Sequence, residues 1–398
     1  MMSTAAHGAS IEPEVRIYRG PKGLRELGEL WRGLADAMKD RSPIHAYEWH
    51  QSFIESQEPE PEATIFVAVF SDDSLEAILP LRPVRTKLAT FGRRGLEVPT
   101  NPHTPFTDIV VRDPAHMRAL MPSVLRRLAS EPSVSWDYIL LRRTLPDSCA
   151  VRCLVAIPGF PSWARRSGAF HYHPHASYDS LLAALPSRYR KNVRRYRKRA
   201  DELGVTYHTA QSREECEVLF QEFLQVEASG WKGEDGAGTA IALDPGLRRF
   251  YEALMQRFGD RGQCRICVIR HEARPIAAGF GLALNQTAYR MKWAYDESYA
   301  RISPGTLLHW HILENACDDP NLRWLNMISD APWHIQWAPI TDDVHDIAVF
   351  RPGLAGRIAS TEQEVLSQVR MWRRRAIDRW IVTEGGRRRI AWPSRRLA

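Results

Sequence analysis

The chain has 398 residues, 44% apolar and 25% charged, which leaves room for two domains and excludes a disordered, collagenous or low-complexity protein. With no apolar run near the roughly 18 residues that cross a bilayer, no basic-then-apolar leader and only six cysteines, a cytoplasmic chain with reduced thiols is expected. The net charge of +7 is concentrated: residues 188–199 hold eight cations and no acid, residues 370–398 hold ten arginines against two acids, and the rest is acidic. Such patches suit the phosphates of a cofactor, a nucleic acid or a lipid surface.

In chain order, Leu24, Leu27, Trp31, Leu34 and Met38 predict a helix over 23–39, and a short helix is expected over 47–55. Strands over 65–70 and 75–81 flank a polar turn and make a hairpin. A strand over 106–111 then leads through Asp113 and Pro114 into a helix ending near 130, followed by a strand over 136–141. Residues 158–179, rich in Pro, Gly, Ser and His, are expected to connect two halves.

The basic run begins a second series. Tyr189, Val193, Tyr196, Ala200 and Leu203 recur at steps of four and three, which predicts a helix stopped by Gly204. A short strand over 205–208 precedes a helix opened by the capping box Ser212 and Glu215, then a helix over 245–258. A hairpin over 263–270 and 275–284, a strand over 288–295, a helix over 304–317 and a strand over 322–328 follow. Hairpin, strand, loop, helix, strand thus recurs, which argues for two related α/β units with a mixed sheet, over 1–160 and 176–355. Residues 356–398 form an Arg-rich end, with a capping box at Thr361 and Glu364 and a stripe of Val365, Val369, Trp372, Ala376 and Trp380 facing the core.

The stretch YRMKWAYDESYARISPGT, residues 289–306, resembles the acyl-CoA site of the GNAT superfamily. Independently of the name, a helix start offers unpaired amides and partial positive charge to an anion, and glycine lets phosphate approach the backbone. Arg301, Ser303, Gly305 and Thr306 are the matching cofactor-binding positions. LPSRYRKNVRRYRKRADELG, SGWKG, RPIAAGF and SDAPWHIQW extend the likeness, in order, to the cellulose-biosynthesis-type (BioF2-like) acetyltransferases, which are related to Fem-type peptidyltransferases. The resemblance implies tandem GNAT-like domains and an acyltransferase that takes acyl-CoA, acetyl-CoA first, as co-substrate. Its acceptor would be an amine or hydroxyl of a small molecule, sugar or polysaccharide precursor. The Fem relationship keeps an aminoacyl-tRNA donor as the alternative, with tRNA or another polyanion meeting residues 188–199 and the C-terminal arginines; a third reading is a silent polyanion-binding module.

The pattern departs from the family at two places. Pro304 occupies part of the glycine loop, and Ser329, Asp330, Trp333 and His334 stand where the branch has Gly-Asp and Tyr-Lys. The first unit's helix starts at Asp113 and Pro114 without glycine, so no cofactor is expected there.

Acyl transfer needs a deprotonated nucleophile and a polarised carbonyl. Asp330 and His334, four apart beyond the last predicted strand, are the candidate catalytic pair, with the carboxylate orienting the imidazole. Trp231 and Lys232 in a glycine-bounded loop, Lys292 on the strand and Asp296 just beyond it are candidate substrate contacts. Lys292 is expected on the face opposite Tyr289, Met291 and Trp293. No metal is expected: His171, His173 and His175 alternate around Pro174 without an acidic or cysteine partner, and Cys264 and Cys267 face opposite sides of a strand.

Overall fold

The computed structural model describes residues 13–84, 94–174, 177–230 and 232–384. In the first half, β1 (Glu14–Arg19) leads into α1 (Gly20–Ala37), α2 (Tyr47–Ser56) and the hairpin β2 (Ile65–Ser71) and β3 (Ser74–Val84). Short β4 (Gly95–Glu97) and β5 (Val110–Val111) precede α3 (Pro114–Ser130), β6 (Tyr138–Thr144), α4 (Cys149–Leu154) and β7 (Ser162–Pro174). After α5 (Tyr178–Ala184) and α6 (Ser187–Glu202), the second half runs β8 (Thr206–Thr209), α7 (Arg213–Ser229), α8 (Pro245–Gly259), β9 (Cys264–His271) and β10 (Arg274–Leu284). It closes with β11 (Thr287–Tyr295), α9 (Pro304–Asp318), β12 (Trp324–Asn326), β13 (Ile340–Phe350) and α10 (Leu354–Glu384).

Local chemistry sets many of these boundaries. Asp113, Ser212 and Asp244 cap α3, α7 and α8 by accepting from first-turn amides, and proline follows both aspartates. The Asp113 carboxylate therefore satisfies amides at the helix start that corresponds to α9 in the second half. Both hairpins turn on two residues with positive φ, Asp72 (48°) and Asp73 (61°) in one, Glu272 (48°) and Ala273 (64°) in the other. That geometry matches the strand twist.

One mixed sheet runs through the molecule in the order β1-β2-β3-β4-β6-β13-β7-β12-β11-β10-β9-β8, with β5 beside β3. Its two parallel pairings correspond: β4 with β6 in the first half, β11 with β12 in the second. Each half contributes its final strand to the other, because β13 pairs with β6 and β7 pairs with β12, while β7 and β13 pair together at the centre. The stretch expected as a connection is thus largely a central strand. Its turn-forming composition hides an inward run of Ala169, Phe170, His171 and His173. Phe220 and Phe223 of α7 and Tyr251 of α8 pack around Phe280 of β10, and Leu307 and Leu308 of α9 cluster with Ile276 and Ala277.

Two expectations need correction. In the pairing of β10 with β11, Phe280 faces Lys292 while Gly281 faces Arg290, so β11 bulges at Met291. The extra residue reverses the alternation, and Lys292 shares the face of Tyr289 rather than opposing it. In α10 the helix starts at Leu354, ahead of the expected box, and Thr361 Oγ1 donates to the Arg357 carbonyl instead of capping. Among its described side chains, Gly356, Ala359, Gln363 and Ser367 are buried, whereas Val365, Val369 and Trp372 are exposed. A Cβ at Gly356 would collide with the Arg351 carbonyl, so glycine is required where the chain leaves β13 and enters the helix. The side chains of Ala376 and Trp380 lie outside the described residues.

Candidate active site

The site grows from the place where β11 and β12 part. They pair only from Thr287 with Trp324 to Tyr289 with Asn326, and residues 290–295 of β11 have no strand partner on that side. Past β12 the chain forms a 3-10 turn, Pro332–Trp337, that brings Trp333 to 4.2 Å from Trp293, ring centre to ring centre. Splayed strands filled by side chains rather than by backbone pairing leave room for a ligand.

A cavity of about 540 Å³ opens here, walled by Trp293, Tyr295, Trp333 and Trp337 and floored by Ser303, Gly305 and Thr306 at the start of α9. Ser303 has φ +54°, and no side chain caps the helix. The Thr306 amide is turned toward the Ser303 carbonyl, Pro304 has no N–H, and the Gly305 amide has no backbone partner among the described residues. A Cβ on Gly305 would lie 3.0 Å from Tyr295 Cδ1, so the ring packs directly on the glycine. The Ser303 and Thr306 hydroxyls, 2.8 Å apart, add donors beside that amide. Arg301 is exposed outside this floor, and its carbonyl accepts from Arg199 of α6 at 3.4 Å. Glu227 is buried in the wall, where it holds Lys232 Nζ at 3.1 Å and the Ile241 amide at 2.7 Å.

A second cavity of about 270 Å³ shares Lys232 and Trp293 with the first and is lined from both halves, by His103 and Arg143 on one side and Arg290, Lys292, Ser329 and His334 on the other. His334 is buried, and its Nδ1 lies 3.2 Å from both the Ser329 carbonyl and His171 Nδ1. Burial, with the charges of His171 and Arg290, pushes its pKa down to about 3, so the ring is neutral near pH 7. With the Nδ1 proton directed at Ser329, Nε2 is left as the acceptor. Burial and the nearby Lys292 and Lys232 charges likewise take His103 down to about 3. The Lys292 amine falls to about 8 through burial and the charge of Lys232.

Residues 187–333 match the acetyltransferase (GNAT) domain family. The chain carries a GNAT domain. The solved structure of FemX is 11% identical with a TM-score of 0.55, covering 80% of this chain and 95% of that one. The C-terminal domain of a putative lysylphosphatidylglycerol synthetase from Agrobacterium fabrum is 13% identical with a TM-score of 0.52, covering 86% and 97%. At these identities the likeness is one of fold. No curated protein matches in sequence. No helix among the described residues is long and apolar enough to cross a membrane.

Within the GNAT domain the expected residues separate. Ser303, Gly305 and Thr306 come together in the first cavity, and Lys232, Lys292 and His334 in the second. Asp330 is exposed and makes no hydrogen bond to His334: it lies ahead of the 3-10 turn that carries the histidine, so no helical spacing brings the two side chains together. Its charge acts on His171 and Arg143 instead. Asp296 caps the turn after β11, accepting from Ser298, and pairs with Arg274 at 2.5 Å rather than with Lys292. Burial opposes its ionisation, but the Ser298 bonds and Arg274 hold its carboxyl below the usual value. Trp231 and His175 lie outside the described residues. His171 and His173 face His334 and His309.

Sequence reading missed Glu227, His103, Arg143 and Arg290, and gave Trp333 no role beyond a departure from the family pattern. Only Glu227 had a usable signal: it follows Cys216, Phe220 and Phe223 on the buried stripe of α7, where an unpaired carboxylate would be costly. The residues of the second cavity come from segments that no linear motif joins.

Proposed function

We propose that the chain transfers an acyl group, acetyl being the simplest, from acyl-CoA in the first cavity to an amine or hydroxyl of a small-molecule or sugar acceptor entering through the second. The observation that carries this reading is the unpartnered Gly305 amide at an uncapped helix start, opening into the gap between β11 and β12. The residues fit the coenzyme: the Gly305 amide and the Ser303 and Thr306 hydroxyls are oriented for a diphosphate, while the three tryptophans suit an apolar arm. Exposed cations of α6 flank this edge, where Arg199 reaches the Arg301 carbonyl, and would serve the remaining phosphate.

The bound thioester supplies the activated acyl group. Lys232 and Trp293, common to both cavities, place its carbonyl against the acceptor's nucleophile. His334 Nε2, held neutral across the physiological range, accepts a hydrogen bond from the nucleophile's N–H or O–H and aligns it, the proton leaving with the departing thiolate, and His171 and the Ser329 carbonyl orient the ring. Asp330 acts at a distance through His171 and is a positioning residue at most. His334→Ala should lower kcat by about a hundredfold with the KM for acyl-CoA unchanged. A variant that instead raises that KM at constant kcat would remove His334 from the chemistry.

The FemX-like fold favours one other donor, aminoacyl-tRNA, with the cationic α6 as its seat. A thermal-shift comparison of acetyl-CoA, free CoA and charged tRNA decides between them. A true donor at about 100 times its Kd stabilises the protein by roughly 2.7 kcal/mol. Stabilisation by the CoA compounds is expected. Stabilisation by charged tRNA alone, steeply weakened by salt, would transfer the proposal to the second reading.

A further inference from the structure

The chain has seven lysines, and they differ in what surrounds them. Lys22 and Lys198 are exposed and pair with Glu26 and Glu202 one helical turn on, and Lys39 and Lys191 are exposed as well. Lys232 is half-buried, but the Glu227 carboxylate holds its Nζ at 3.1 Å. Among the described lysines, Lys292 alone is half-buried without a hydrogen bond or ion pair to a described residue. Its side chain lines the second cavity, next in the chain to Trp293, which stands with Lys232 at the neck between the two cavities.

An exposed lysine near neutral pH is almost wholly protonated and a poor nucleophile. Lys292 sits among Lys232, Glu227 and His103, and burial with the Lys232 charge takes its amine down to about 8 against the pull of Glu227. The other titratable groups of the lining are turned elsewhere. Arg143 is answered by Asp330 and Asp346, Arg290 lies on the opposite face of β11 against His309, and His103 and His334 are neutral. About a tenth of the Lys292 amine is therefore free base at pH 7.

We propose that Lys292 is itself an acyl acceptor, and that when the second cavity holds no other acceptor its Nζ takes the acyl group from the thioester at the neck. The inference rests on the acyl-CoA reading above. The unprotonated nitrogen adds to the thioester carbonyl carbon; a C–N bond forms, the C–S bond breaks, and the coenzyme leaves as a thiolate that takes up the proton the nitrogen sheds. The product is an amide, which does not pass the acyl group on. It removes a positive charge and adds an acyl group inside a space of about 270 Å³, so the modified chain has a narrower entry for its acceptor.

Incubation of the full chain with acetyl-CoA and no acceptor, read by intact mass and peptide mapping, tests this. One acetyl group per chain is expected, on Lys292, at a rate that climbs up to about tenfold per pH unit and levels off above about pH 8. Lys292→Arg, first shown by its melt to be folded, should lower incorporation at least about tenfold, and Gly305→Glu should lower it comparably because the donor is no longer held. Label on Lys232 instead, or spread over Lys22, Lys39 and Lys198 at one rate in all three proteins, would overturn the proposal. So would a rate still climbing at about pH 10, the behaviour of a solvated amine. Calorimetric titration of the same samples separates the two readings. Acetyl-CoA that binds without marking Lys292 sinks the self-acylation alone, whereas failure of acetyl-CoA to bind sinks the donor reading and the self-acylation with it.

Discussion

Replacing Gly305 by glutamate should weaken acyl-CoA binding by at least about a hundredfold while leaving the melting temperature close to that of the wild type. The Cβ alone meets Tyr295 Cδ1 at 3.0 Å, and the carboxylate then occupies the space in front of the helix start. A negative charge in the first helical turn favours the helix itself by about 0.3–1 kcal/mol, so the substitution repels a diphosphate without threatening α9. Gly305→Ala is the graded control: Tyr295 is 46% exposed and its ring can give way, so a smaller loss is expected. Isothermal titration with CoA and acetyl-CoA reads both. Undiminished affinity in the glutamate variant would remove the socket from the donor site.

The second large effect is acid destabilisation well above the carboxylate range. Burial takes His50 and His173 down to about 4 and His334 to about 3, against an ordinary value of 6.5. Because these folded-state values are depressed, the unfolded chain takes up protons first as pH falls. The stability they contribute is complete above pH 6.5 and is lost progressively from there down to pH 3–4. Each group contributes up to about 1.4 kcal/mol per pH unit, so several kcal/mol should disappear between pH 6.5 and 4.5. Urea midpoints at pH 7.5, 6, 5 and 4.5 measure the slope, and His50→Gln, remote from both cavities, should flatten it. Constant midpoints from pH 7.5 to 5 would show that these rings are not held neutral.

The elements that local chemistry announces were legible in the sequence. The caps at Asp113, Ser212 and Asp244 start helices where expected, both hairpins turn at the anticipated residues, and Pro304 opens α9. What escaped was set by distant partners. β13 pairs with β6 and β7 far back in the chain, and its first four residues are exposed, so no apolar alternation marks it. The floor of the first cavity is a contiguous motif and could be read. The second cavity depends on the Met291 bulge, which reverses the alternation of β11, and on Arg143, which sits on β6 of the other half. Glu227 sat in plain view as a carboxylate on an apolar stripe, yet its partners, Lys232 and the Ile241 amide, lie beyond the end of its helix.

The most direct measurement is a crystal structure of the full chain with bound CoA. The diphosphate should lie against the Gly305 amide and the Ser303 and Thr306 hydroxyls, with the thiol end between β11 and β12 beside Trp293. A coenzyme lodged on the C-terminal arginines or in the second cavity, with the start of α9 left to solvent, would contradict the account.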